Sequence, residues 1–135
     1  MHLDILSVEQ TEYTPKIRFD RKNQRFTCSG SSYMEYPFEF YKPIVGWLED
    51  YLKATQAKIS LDFYLDYWNT GSIRLLMFIL DFLEKQQRIQ LVNWYFENGN
   101  QDAFYLGENL QEEFSDVIFN IIEVDNSDSS ELYHD

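Results

Sequence analysis

The chain has 135 residues, 44% hydrophobic and 18% aromatic, with a formal net charge of −12 from 23 acidic and 11 basic side chains. That is the size of one ordinary domain, with enough apolar material for a single core and too much aromatic content for a disordered chain. A surface this acidic, without a basic patch, repels phosphate backbones and anionic membranes and argues against nucleic-acid binding.

Cys28 is the only cysteine, so no intrachain disulfide forms, and a lone thiol fits a reducing compartment. The first residues lack the charged-then-apolar layout of a signal peptide. The longest purely apolar run, residues 75–80, falls far short of the ~20 residues of a membrane helix. A soluble, cytoplasmic protein without membrane contact is the expectation.

In chain order, residues 3–8 suit a first strand. Thr14-Pro15 breaks the chain, because proline disfavours helix in the residue before it. Ile17 and Phe19 alternate with charged neighbours, and Phe26 and Cys28 alternate with Arg25, Thr27 and Ser29 across an Arg21-Lys22-Asn23 turn. Those two runs predict a hairpin. Residues 29–32 read as a loop.

Phe40, Ile44, Trp47, Leu48, Tyr51 and Leu52 form one apolar stripe, predicting a helix over 37–53 that Pro43 either kinks or begins. Over 58–67, Ile59, Leu61, Phe63, Leu65 and Tyr67 fall on one side and Ser60, Asp62, Tyr64 and Asp66 on the other. A strand covered on both faces would be apolar throughout. Helices are therefore expected on one face only, with solvent or a partner on the other.

Asn69-Thr70-Gly71-Ser72 opens a second helix, running to about Arg88, with Asn69 and Thr70 both suited to capping. Residues 91–96 predict a strand. Ala103, Leu106, Leu110 and Phe114 predict a helix despite Gly107, and 117–124 predict a last strand. Strands alternating with helices imply an α/β fold with right-handed crossovers and a mixed, mostly parallel sheet. A single domain over 1–124 is followed by an acidic, flexible tail at 125–135.

Catalytic chemistry is poorly represented. Histidine occurs only as His2 and His134, and no Cys/His spacing suits zinc. There is no phosphate-cradling glycine loop. Asp62 and Asp66, four residues apart on one strand face, would stand about 13 Å apart, beyond the separation of paired catalytic carboxylates. They read as a solvated acidic face. The aromatics of 33–41 and 94–96 read as core, and Cys28 as an inert buried thiol. No catalytic residue, metal site or cofactor is assigned.

Thr70 stands apart. It lies between a strand end and a helix start, where free backbone N–H groups and the helix dipole favour an added negative charge, and Arg74 follows one turn on.

Four segments then carry a resemblance over most of the chain. These are Glu9-Gln10-Thr11-Glu12-Tyr13-Thr14-Pro15-Lys16-Ile17, Gly30-Ser31-Ser32-Tyr33-Met34-Glu35, Phe40-Tyr41-Lys42-Pro43-Ile44-Val45-Gly46-Trp47-Leu48 and Tyr67-Trp68-Asn69-Thr70-Gly71-Ser72. In their order and spacing they resemble the SiaC-like regulatory phosphoproteins. The resemblance implies a STAS-like, anti-anti-sigma-type domain that switches partners. A cognate serine/threonine kinase and an opposing phosphatase would act on Thr70, with Ser72 the fallback acceptor and Asn69, Gly71 and Arg74 its neighbourhood. The unmodified form would bind and activate a diguanylate cyclase, promoting cyclic di-GMP synthesis and biofilm. This chain departs from the family pattern at Met34, often proline, and at Gly71, commonly serine. The partner surface is expected on the second helix and the strand end before it, at Tyr67, Trp68, Ile73 and Met77. The alternatives are a small-molecule sensor built on the aromatic region, or an adaptor that is never phosphorylated.

Overall fold

The computed structural model describes residues 4–125. Its elements are β1 (Ile5–Val8), β2 (Lys16–Asp20), β3 (Arg25–Ser32), α1 (Pro37–Ala54), β4 (Ile59–Trp68), α2 (Thr70–Lys85), β5 (Ile89–Glu97), α3 (Gln101–Glu113) and β6 (Phe119–Val124). Leu3 and the tail beyond Asp125 lie outside the described residues.

The strands form one six-stranded sheet in the order β1-β2-β3-β4-β5-β6. The first two pairings are antiparallel and the last three parallel. Each parallel pair is joined through one helix, as crossover geometry requires. Ile17, Phe19, Phe26, Cys28, Ile59, Leu61, Phe63, Val92 and Trp94 project from the sheet into one core with Ile44, Leu48, Leu76, Leu80 and Leu110 of the three helices. The helices thus cover one face, as the alternation along β4 predicts.

The opposite face carries a polar ladder across four strands. Arg25 pairs with Asp62, Asn93 donates to Asp62 at 2.9 Å, and Asn120 donates to Asn93 at 3.0 Å. Asp62 is therefore not part of a free acidic face: its carboxylate is mostly screened, at 13% side-chain exposure, and held by neighbouring strands. Asp66 accepts from Ser31.

The largest departures from the sequence reading lie at residues 29–32 and at the end of α2. Residues 29–32 are not a loop but the second half of β3, paired in parallel with β4. That partner lies 35 residues downstream and leaves no local signature. Gly30, at φ +103°, occupies a backbone region that only glycine enters without strain. Opposite it, pairing jumps from Gly30↔Leu65 to Ser31↔Tyr67, so Asp66 is the extra residue of a β-bulge. The bulge reverses the alternation. Tyr67, expected on the core side, is instead 58% exposed, while Trp68 packs against the core.

Helix α1 begins at Pro37, which fits a first turn where no N–H is needed, and Pro43 lies inside the helix. Helix α2 ends at Lys85 rather than near Arg88, because Gln87 takes positive φ. Arg88 then turns back to donate to the carbonyls of Leu52, Thr55 and Ala57, closing the C-terminal end of α1.

Candidate functional site

The parallel strands end together, and α1, α2 and α3 all begin at that edge. Two asparagines stitch it. Asn69 caps α2 by accepting from the Ser72 N–H at 3.0 Å, and its own amide donates to the Met34 carbonyl at 2.9 Å. Asn100 caps α3 by accepting from the Ala103 N–H at 3.1 Å, and donates to the Asp66 carbonyl at 3.3 Å. Each cap satisfies a free N–H of its helix and anchors the preceding crossover. The sequence reading missed Asn100, although Asn100 followed by Ala103 repeats the spacing of Asn69 and Ser72.

The cap of α2 is Asn69 alone, and Thr70, which was expected to share capping, is the first helical residue. Its side chain is exposed. By helix geometry the N–H groups of Thr70 and Gly71 have no intrahelical acceptor. Arg74 is exposed one turn on. Ser72 is different in kind. It is 1% exposed, and its hydroxyl has no hydrogen-bond partner among the described residues. Gly71 packs against α1, where an added Cβ would stand 3.1 Å from Pro37 Cγ.

Thr70 borders an open depression of about 460 Å³, lined also by Tyr33, Trp68, Asn69, Ile73 and Leu106. Tyr33 stacks at a tilt on Tyr67, with ring centroids 5.0 Å apart. Tyr33, Tyr36 and Phe38 are exposed, so the aromatic run 33–41 is core only at its end, where buried Tyr41 shares a hydrogen bond with Ser32. Of the expected partner residues, Tyr67, Trp68 and Ile73 meet at this edge. Met77 is half-buried against the core. The outward stripe of α2 runs Thr70, Arg74, Phe78, with Phe78 55% exposed. Spacing of i, i+4, i+8 from Thr70 marks Phe78, and the general apolarity of the helix hid it.

The four segments singled out above converge here. The 9–17 segment folds back so that the Tyr13 carbonyl accepts from Tyr33 N–H at 2.8 Å, and Gln10 lies against Gly30. The 30–35 segment is held by Asn69, and the 40–48 segment meets it through Tyr41 and Ser32. Buried Cys28 has its thiol pushed up to about 12, burial being the main cause and a hydrogen bond with Tyr41 opposing it. Among the described residues no cluster of His, Cys, Asp and Glu suits a metal ion, and no helix is long and apolar enough to cross a membrane.

Residues 8–124 match the model of the SiaC family regulatory phosphoproteins. An uncharacterized protein of Pseudomonas aeruginosa (strain UCBPP-PA14) is 33% identical over 113 residues, covering 82% of this chain and 90% of its own length. Among solved structures, a chain in the crystal structure of diguanylate cyclase SiaD in complex with its activator SiaC, from Pseudomonas aeruginosa, is 31% identical with a TM-score of 0.80, covering 88% of this chain and 99% of that one. Apo-SiaC of the same organism is 27% identical with a TM-score of 0.69, over 90% and 98% of the two chains.

Proposed function

Because the chain belongs to the SiaC family of regulatory phosphoproteins, we propose that it is a phosphorylation-controlled switch whose unmodified form binds and activates a diguanylate cyclase. The observation that carries this is the exposed Thr70 at the first position of α2, beside the exposed rings of Tyr33, Tyr67 and Phe78. The structural relative that forms such a complex supports the choice of output partner.

In the proposed cycle a kinase moves the terminal phosphoryl group of a nucleoside triphosphate to Thr70 Oγ1. The hydroxyl proton and the nucleoside diphosphate leave. A phosphatase restores the hydroxyl with water and releases inorganic phosphate. Thr70 is favoured over Ser72 because the Ser72 hydroxyl is buried and out of reach of a kinase without opening the helix. The first-turn N–H groups and Arg74 would stabilise the added charge of about −1.5 to −2.

The binding surface is read as Tyr67, Trp68, Ile73 and Phe78 around Thr70. A phosphoryl group brought into a dry interface there, without a partner cation, costs a few kcal/mol. Each ~1.4 kcal/mol is tenfold in affinity, so two such steps switch micromolar binding off. The test is co-purification with the cyclase and its activity in the mixture. Wild type and Thr70→Ala are expected to bind and activate, and Thr70→Asp to bind at least tenfold more weakly. Binding by Thr70→Asp and by the chain phosphorylated at Thr70 that equals wild type would overturn the switch.

A further inference from the structure

Asn69 makes three hydrogen bonds that together join the acceptor's helix to the segment before α1. Its backbone N–H donates to the Ser32 carbonyl at 3.1 Å, its side-chain amide to the Met34 carbonyl at 2.9 Å, and its side-chain oxygen holds the Ser72 N–H at 3.0 Å. The contact of Gly71 with Pro37 lies beside this link, and Tyr33 on Tyr67 closes its outer side. The segment so held carries the exposed rings of Tyr33 and Tyr36.

We infer that Asn69 is a positioning residue that carries the phosphorylation state of Thr70 to residues 33–36. This rests on the reading of Thr70 as acceptor. A phosphoryl group on the first helical residue seeks the N–H groups of the first turn, among them the one Asn69 now occupies. Charge-assisted hydrogen bonds are roughly twice as strong as neutral ones, so the phosphoryl oxygens displace the carboxamide oxygen. A carboxamide is rigid and planar. Once its oxygen leaves Ser72, its NH2 leaves Met34 as well, and the 33–36 segment loses its tether to α2. The switch then acts by altering the shape of the aromatic surface as well as its charge.

The test is amide hydrogen exchange at Tyr33, which donates to Tyr13, and at Asn69, which donates to Ser32. Three proteins are compared: the unmodified chain, a chain with phosphothreonine placed at position 70 during synthesis, and Asn69→Asp. The aspartate keeps the acceptor for Ser72 and removes the donor to Met34. Both altered chains are expected to exchange about fivefold faster at these amides, the factor given by loss of one hydrogen bond of about 1 kcal/mol. The core amide of Val92 should be unchanged. Unaltered rates at Tyr33 and Asn69 in the phosphothreonine chain would overturn the inference, as would equal acceleration at Val92, which marks general loosening. The acceptor reading fails separately, by peptide mass spectrometry of native protein showing no phosphate on Thr70.

Discussion

Trp94 occupies the space that a side chain on Gly107 would need: a Cβ there would stand 2.5 Å from Trp94 Cδ1 and 2.8 Å from Nε1. The indole is fully buried, and its N–H donates to the Ala103 carbonyl at 2.9 Å, one turn earlier on the same helix. The glycine that looks like a flaw in the pattern of α3 is what lets the helix sit on the tryptophan.

Gly107→Ala is therefore expected to destabilise the domain, although alanine gains up to ~1 kcal/mol of helix propensity. Overpacking against an immobile indole costs about 1–3 kcal/mol, leaving a net loss of up to about 2 kcal/mol and a lower midpoint in thermal unfolding. A raised midpoint would show that the indole can move aside.

Gly71→Ala tests the milder contact. The approach to Pro37 Cγ is 3.1 Å rather than 2.5 Å. Its cost should nearly cancel the propensity gain, leaving stability within about 0.5 kcal/mol of wild type by urea unfolding.

Ser72→Ala separates the two hydroxyls of the capping segment. It removes a buried hydroxyl with no hydrogen-bond partner among the described residues, so stability should hold or rise by up to about 1 kcal/mol. Phosphorylation by a lysate of the native cell should persist in Ser72→Ala and vanish in Thr70→Ala. The reverse result would move the acceptor to Ser72.

Phe78→Ala removes an exposed ring from the outward stripe of α2. Stability should change by less than about 0.5 kcal/mol, as for a surface site. If Phe78 is an anchor of the partner surface, affinity for the cyclase should fall about tenfold or more in titration calorimetry. Unchanged affinity would confine the interface to the strand ends.

Cys28, with its thiol pushed up to about 12 mainly by burial, is almost wholly protonated at pH 8. A thiol-specific disulfide reagent at that pH should leave the folded chain unlabelled and react fully after denaturation. Rapid labelling of the folded chain would mean that β3 opens readily.

Much of this architecture is legible in the sequence because it is written in local periodicity. The alternation through Ile59, Leu61 and Phe63 fixes the covered face, and the stripe of Ile44 and Leu48 fixes the inner side of α1. What escaped depends on distant partners. The second half of β3 looks like a serine-rich loop because its pairing residues are on β4. Tyr67 faces outward because of a bulge at Asp66 that no residue near it announces. In the candidate site, Asn69 is readable from capping chemistry, and Thr70 is marked by its place beside that cap and by the family resemblance. Tyr33 and Tyr36 are not, since an aromatic-rich run carries no mark of which rings stay outside.

The order of the sheet bears on how the chain assembles as it is made. Every strand pairs with the one synthesised just before it. No strand is inserted between two already joined. The hairpin of β2 and β3 forms a template, and each later strand adds to its growing edge after its helix. Each parallel pairing closes over a helix, so it forms more slowly than the hairpin. A nascent chain stopped after β4 should already hold paired strands, whereas a sheet with a late central strand would stay open until the end.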